Sequence, residues 1–166
     1  MTIRTKIQLG AILILAVFAL ILLLSQTATL DNPVRFSFKR IQEKAYLNLK
    51  SNPQEQLDYM SFLLDRRLEE LGNQVRRQSY SHILPSATRY STLAGQITDL
   101  LVTNNLEDKI EGIKQQFLDH QKVLQDIYVM YPKNTDNVEY KYIEDDINYL
   151  KIYLDKLTNF FNAEKA

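Results

Sequence analysis

The sequence predicts an all-α protein, an N-terminal transmembrane helix followed by an antiparallel bundle of four to five helices. Three observations lead there. Residues Leu9 to Leu24 form an unbroken apolar run, LGAILILAVFALILLL. Beyond it, apolar residues recur at spacings of three and four in one segment after another, the period of a single helix face. No segment alternates with a period of two for long enough to argue for a strand.

The uncharged stretch from Ile7 to Leu30 corresponds to about 36 Å of helix, enough for a hydrocarbon core of ~30 Å. A secretory signal has a shorter apolar region, about 7 to 15 residues, ahead of a small-x-small cleavage site. Ser25-Gln26-Thr27-Ala28-Thr29 matches such a site poorly, so a retained anchor over residues 1–30 is expected rather than a cleaved leader. Arg4 and Lys6 favour a cytoplasmic N-terminus under the positive-inside rule, while Arg35, Lys39, Arg40 and Lys44 weigh on the other flank. Those four begin well past the run and have Asp31 and Glu43 among them. The expected topology is single-pass in the cell membrane, N-terminus cytoplasmic, with residues 31–166 as an extracytoplasmic bundle.

Composition divides the same way. Residues 31–166 hold all twenty acidic and eighteen of the twenty basic residues, so the overall neutrality averages two unlike segments. That length suits one domain with a real core. With no cysteine, a disulfide framework, a thiolate metal site and a lipidated cysteine are all excluded.

Asn32-Pro33 opens the first helix of the body, with Phe38, Ile41, Ala45 and Leu49 on one face. Ser51-Asn52-Pro53 stops it and starts the next: Asn52 as N-cap, Pro53 in the first helical position, Glu55 three residues after the cap. Leu57, Met60, Leu64, Leu68, Leu71 and Val75 form its stripe. After a break over residues 79–84, Pro85 can open a third helix carrying Tyr90, Leu93, Ile97, Leu100 and Leu101. A fourth follows Asn105, which is expected to cap toward Asp108, and carries Leu106, Ile110, Ile113, Phe117, Leu124, Ile127 and Tyr131, with His120 in a core-facing slot. Pro132 ends it. Asp136 and Glu139 restart the chain, and Ile143, Ile147, Leu150, Leu154, Leu157 and Phe161 repeat the rhythm in a fifth. Two such helices joined by a short loop should pack antiparallel.

Chemistry-bearing motifs are sparse. His82 and His120 are the only histidines and lie far apart, and metal ligands normally come in clusters, so a core hydrogen bond is the expected role of His120 and no metal or cofactor is expected. The groups Glu107, Asp108, Glu111 and Glu144, Asp145, Asp146 read as helix starts and solvated faces, lacking the glycine and alternating ligands of an EF-hand. The loop Lys133–Asn137 reads as a polar turn. No glycine-flanked elbow surrounds Ser79 or Ser81, and four glycines give no phosphate-cradling loop. The ten tyrosines read as boundary residues, apolar in body and polar at the tip.

Arginine is distributed unevenly. Within the body all seven, Arg35, Arg40, Arg66, Arg67, Arg76, Arg77 and Arg89, precede residue 90. Residues 31–103 carry two more basic than acidic groups and residues 104–166 four more acidic than basic. This suits opposed charged faces or a basic flank on anionic lipid; nucleic-acid binding would need a stronger basic excess. Candidate interaction residues are Arg66, Arg67, Arg76, Arg77, Arg89 and Tyr90. Arg66 and Glu70 are one turn apart and can pair. Arg67 lies one turn after Leu63 and one before Leu71, placed either to lay its stem on the core with its head in water or to be held between helices on Asp65, Glu43 or a similar carboxylate, with Arg89-Tyr90 as the partner from the third. Arg76 and Arg77, near the end of the second helix and beyond its core stripe, are placed to meet a partner or to favour its negative C-terminus.

The stretch from Asn32 to Lys44, NPVRFSFKRIQEK, followed by Leu63 to Leu71, LLDRRLEEL, resembles a family of bacterial envelope proteins known by a helical domain of unknown function. Ser86 to Gly95, SATRYSTLAG, is similar to a segment of some members, and the likeness covers residues 32–100. Phe36 and Phe38 stand where an aromatic and an aliphatic residue are usual, so the departure from it is at Phe38. The resemblance implies an N-terminal signal or anchor, an extracytoplasmic helical domain and no assigned catalytic residue. The sequence reading is thus a non-enzymatic, membrane-anchored interaction or structural module, touching lipid through its first helix and a protein partner through its body. The alternative is a helical module that senses a ligand or stress and signals through a membrane partner.

Overall fold

The computed structural model describes residues 33–133 and 137–164. The expected anchor over residues 1–30 lies outside them, as do the expected helix-start residues Asn32 and Asp136. Five α-helices make up the described chain: α1 (Pro33–Leu49), α2 (Pro53–Arg76), α3 (Ile83–Thr103), α4 (Glu107–Met130) and α5 (Tyr140–Glu164), with a single 3₁₀ turn at Tyr80–His82 before α3. Among the described residues no strand occurs and no helix is long and apolar enough to cross a membrane. The chain divides into two units, one ending at Leu49 and one beginning at Lys50.

In the first unit, α1 starts and stops where its prolines and polar residues predict, but its apolar stripe is not core. Phe38, Ile41 and Leu49 are 45, 66 and 79 % exposed, and Ala45 is exposed too. Periodicity makes a helix amphipathic; only a second layer of structure turns its stripe into core.

The second unit is a four-helix bundle with a heptad core. Leu57, Leu64 and Leu71 on α2, Ile83, Tyr90 and Ile97 on α3, Ile110, Phe117 and Leu124 on α4, and Ile143, Leu150 and Leu157 on α5 are all seven apart and all at most 1 % exposed. Strict seven-residue spacing keeps one seam of each helix turned inward, as in shallow-angle bundle packing. Each such side chain contributes about 1.5 to 3 kcal/mol of burial. The expected core residues Leu68, Ile113 and Ile147 are buried beside this seam, and Leu154 is half-buried.

Antiparallel packing holds within two hairpins, α2 with α3 and α4 with α5. The hairpins then associate through α3 with α5 and α2 with α4, leaving α3 and α4 on a diagonal. Between hairpins the neighbouring helices run parallel, while consecutive helices alternate in direction as the short loops require. Partners on α2 and α4 advance together, from Asp58 with Lys109 through Ser61 with Gln116 to Asp65 with His120. Partners on α3 and α5 advance likewise, Ser91 with Tyr153 and Asp99 with Lys156. A stripe specifies which face is buried and leaves open which neighbour covers it.

The helix ends follow local chemistry. Asn52 caps α2, its Oδ1 accepting from the Gln54 N–H at 2.9 Å with Pro53 behind it. The chain leaves α2 through Gln78 at φ 57° and α3 through Asn105 at φ 51°, left-handed residues just past the caps that turn it so that Ser79 N–H reaches Gln74 O at 2.9 Å and Leu106 N–H reaches Leu101 O at 3.1 Å. Asn105 therefore closes α3 instead of capping α4, which starts at Glu107 behind Leu106. Pro85 falls within the first turn of α3, where its missing N–H has no intrahelical partner to lose. Tyr131, extended ahead of Pro132, ends α4 as pre-proline sterics require. Beyond it Asn137 accepts from the Tyr131 hydroxyl and from the Glu139 N–H, the role expected of Asp136.

Candidate functional site

Three polar arrangements interrupt this apolar core. The first crosses it. Tyr90, in a heptad position at the middle of α3, is fully buried and its Oη lies 3.0 Å from His120 Nδ1 on the diagonal helix α4. His120 Nε2 lies 2.8 Å from Asp65 Oδ1 on α2. A carboxylate only accepts, so Nε2 carries the imidazole proton and Nδ1 accepts from the Tyr90 hydroxyl. Gln116 Nε2 donates to the same Asp65 oxygen at 2.6 Å and to Ser61 O at 3.1 Å, while Ser61 Oγ donates to Gln116 Oε1 at 2.8 Å. Burial lowers the His120 pKa against the raising effect of Asp65, so the ring is neutral. Burial, with Asp146 and Asp65 nearby, raises the Tyr90 phenol well above its ordinary value. The one hydrogen bond expected of His120 is in fact two, and they tie three helices.

The second arrangement joins α2 and α3. Arg67 is buried and donates from Nη1 to Glu70 Oε2 at 3.1 Å, and Arg89 Nη1 reaches the same oxygen at 3.5 Å. A guanidinium held on a carboxylate between helices, with Arg89 as partner, is the bridging alternative raised for Arg67, and Glu70 supplies the carboxylate. The Arg66 guanidinium lies over the Phe62 ring, 5.8 Å from the centroid. Tyr90 belongs to the diagonal link, not to this bridge. Arg76 and Arg77 are exposed at the end of α2, Arg76 donating to Asn73 Oδ1 at 2.8 Å. The six candidate residues therefore fall in four places: the Arg67–Arg89 bridge, the diagonal link of Tyr90, the Phe62 ring under Arg66, and the end of α2 with Arg76 and Arg77.

The third is a cleft of about 450 Å³ between α3 and α5. Thr88 and Ser91 line it from α3, and Tyr142, Tyr149, Tyr153 and Asp145 from α5. Asp146 also lines it and is 1 % exposed, its Oδ2 without a hydrogen-bond partner. Burial pushes this carboxyl up to about 8, against a lowering hydrogen bond from Ser91. Tyr153 spans the two helices, its Oη donating to Ser91 O at 3.4 Å and its ring stacking on Tyr149 with centroids 6.3 Å apart. Gly95 makes this approach possible: a Cβ there would stand 2.9 Å from Tyr153 Oη.

Asp146 corrects the reading of Glu144, Asp145 and Asp146 as a solvated face. Glu144 and Asp145 are exposed, but Asp146 lies three residues after Ile143 and four before Leu150, on the buried stripe itself. That spacing was the available signal. A smaller groove of about 350 Å³ lies between α2 and α4, lined by His120, Asp65, Arg76 and Asp119. There the imidazole is already committed at both nitrogens.

Comparison with protein-family models, curated proteins and solved structures gives no match for this chain.

Proposed function

We propose that this chain is a non-enzymatic helical binding module, held at the cell envelope by its N-terminal anchor, whose bundle receives a small ligand between α3 and α5. The resemblance of residues 32–100 to envelope proteins is part of this reading. One observation carries it: the buried Asp146 carboxyl lines a cleft of about 450 Å³ with one oxygen unpartnered. Buried polar atoms are normally satisfied, and a few convergent polar groups in a cleft of some 300 to 1,000 Å³ are the usual form of a small-molecule site. Asp65, His120 and Tyr90 superficially form an acid–base relay, but the Tyr90 hydroxyl at its end is sealed from solvent. An acid or base must reach the atom it serves, so the relay is read as a brace.

The test is a thermal-shift survey of small ligands on the chain and on Thr88→Trp, which fills the cleft from its exposed α3 side. Ligands that stabilise the parent and lose the effect in the variant support the reading. A survey in which every stabilising ligand acts equally on both overturns it.

A second reading, docking of a protein or anionic lipid partner, is favoured by the exposed pair Arg76 and Arg77 at the end of α2. Reversing both to Glu should leave the fold intact and weaken capture of that partner, and the parent interaction should weaken as salt rises. Undiminished capture would reject it.

A further inference from the structure

Resting on the reading of the α3/α5 cleft as a ligand site, we propose that its ligand is a small organic ammonium ion, with the Asp146 carboxylate as counter-ion and the rings of Tyr142, Tyr149 and Tyr153 as the walls around the cationic carbon shell.

Charge argues for the sign. The lining carries two carboxyl groups, Asp145 and Asp146, and no lysine or arginine. Lys156, three residues beyond Tyr153, is held on Asp99 at 2.8 Å. The titratable groups around Asp146 are Tyr142, Asp145, Tyr149 and Tyr153 on α5 and Tyr90 on α3, all acids; from α4, His120 is engaged by Tyr90 and Asp65 and kept neutral by burial. Among the described residues that line the cleft none supplies a positive charge to let Asp146 ionise, and it keeps its proton up to about 8. An anion would meet two carboxyls and no donor cation.

Shape argues for an organic cation over a metal ion. A hard divalent ion needs six or more converging oxygens, and among the described residues no group of three or more His, Asp or Glu is placed to hold a metal. Ring faces carry negative charge and attract a weakly hydrated ammonium, most strongly where water is excluded. Tyr149 and Tyr153 line the cleft as a stack 17° from parallel, and the cleft is large enough for a handful of heavy atoms. Binding a cation displaces the Asp146 proton to solvent, so uptake of the ligand and release of one proton are coupled.

Choline and its uncharged isostere 3,3-dimethylbutan-1-ol test this on the full-length chain in mild detergent, by titration calorimetry between pH 5 and 8.5. Choline's charge does not titrate, so any pH dependence belongs to the protein. The expected result is choline binding about tenfold or more tighter than the alcohol at pH 8. Its affinity should fall by up to about tenfold for each pH unit below 8, with a proton released on binding. Asp146→Asn should abolish the preference for charge; should that variant not fold, the isostere pair and the pH series on the parent decide. Equal binding of both compounds, lost in Thr88→Trp, overturns the cationic ligand and leaves a ligand site. Choline binding that is flat in pH, or a preference that survives in Asp146→Asn, overturns Asp146 as counter-ion. Binding of neither compound overturns the ammonium assignment, and the ligand survey then stands or falls by itself.

Discussion

Tyr90 and His120 meet across the diagonal of the bundle, phenol to imidazole at 3.0 Å, joining two helices that otherwise touch little. The imidazole continues to Asp65, so a single buried ring fixes the relative height of α2, α3 and α4. A heptad seam of leucines and isoleucines tolerates sliding by one turn; a directional hydrogen bond between two buried groups does not. Replacing Tyr90 by Phe preserves the packing volume but leaves His120 Nδ1 without its donor. The expected loss is about 1 to 3 kcal/mol by chemical denaturation.

The same ring sets an acid limb of stability. His120 has a folded pKa below its unfolded value of 6.5, because burial disfavours the imidazolium. The unfolded chain therefore binds more protons between the two values, and stability rises with pH there. Its contribution is complete above about 6.5 and is lost as pH falls through the folded value. Asp146 slopes the other way across this range, so the limb is read as a difference: between pH 4 and 7 the melting temperature of the parent should rise with pH relative to that of His120→Gln, which lacks the titrating ring.

Asp146 produces the opposite limb. Its folded pKa of about 8 stands far above the unfolded 3.8, so the folded chain holds the extra proton between them and stability falls as pH rises through that window. Asp146→Asn should remove this slope, and at pH 8 the variant should exceed the parent by more than about 1.4 kcal/mol, the value of one pKa unit. A parent chain as stable at pH 8 as at pH 6 would place Asp146 in contact with water.

Glu70 and Arg66 separate the bridge from the surface. Glu70 accepts from both Arg67 and Arg89, with side-chain exposures of 21, 8 and 17 %. Glu70→Ala removes the shared carboxylate beneath two shielded guanidiniums and should cost about 1 to 3 kcal/mol in denaturant. Arg66→Ala gives up a ring contact at a half-buried position and should cost less than 1 kcal/mol.

Much of the bundle was legible because heptad spacing survives translation into burial without loss: Leu64, Phe117 and Leu150 sit where a seven-residue repeat puts them. The pairing of the hairpins was not, since a stripe on α2 is equally satisfied by α3 or α4. Gln78 gave no warning of its left-handed turn, a conformation usually announced by glycine or asparagine. The Arg67 bridge was half legible, because spacing showed a guanidinium against the stripe but not that Glu70 would serve Arg89 as well. Asp146 was missed when three consecutive acids were read together as one solvated face. Helical geometry turns adjacent residues about 100° apart, so such a run always spans more than one face.

Two glycines in helices offer opposite outcomes from one substitution. At Gly112, in an exposed part of α4, an added Cβ meets nothing within 4 Å, so Gly112→Ala should gain about 0.5 to 1 kcal/mol by reducing the freedom of the unfolded chain. At Gly95 the same methyl would stand 2.9 Å from Tyr153 Oη and 3.2 Å from Cζ, closer than packed atoms allow. The Tyr153 ring can yield only by giving up its hydrogen bond to Ser91 O and its stack on Tyr149. Gly95→Ala should therefore lose the helix-propensity gain and more, a net cost of about 1 to 3 kcal/mol typical of overpacking. It should also weaken any ligand held in the cleft, because Tyr153 forms one wall of it. Thermal denaturation of the two variants side by side checks the sign: stabilisation by both would mean that α3 and α5 are not in close contact at Gly95.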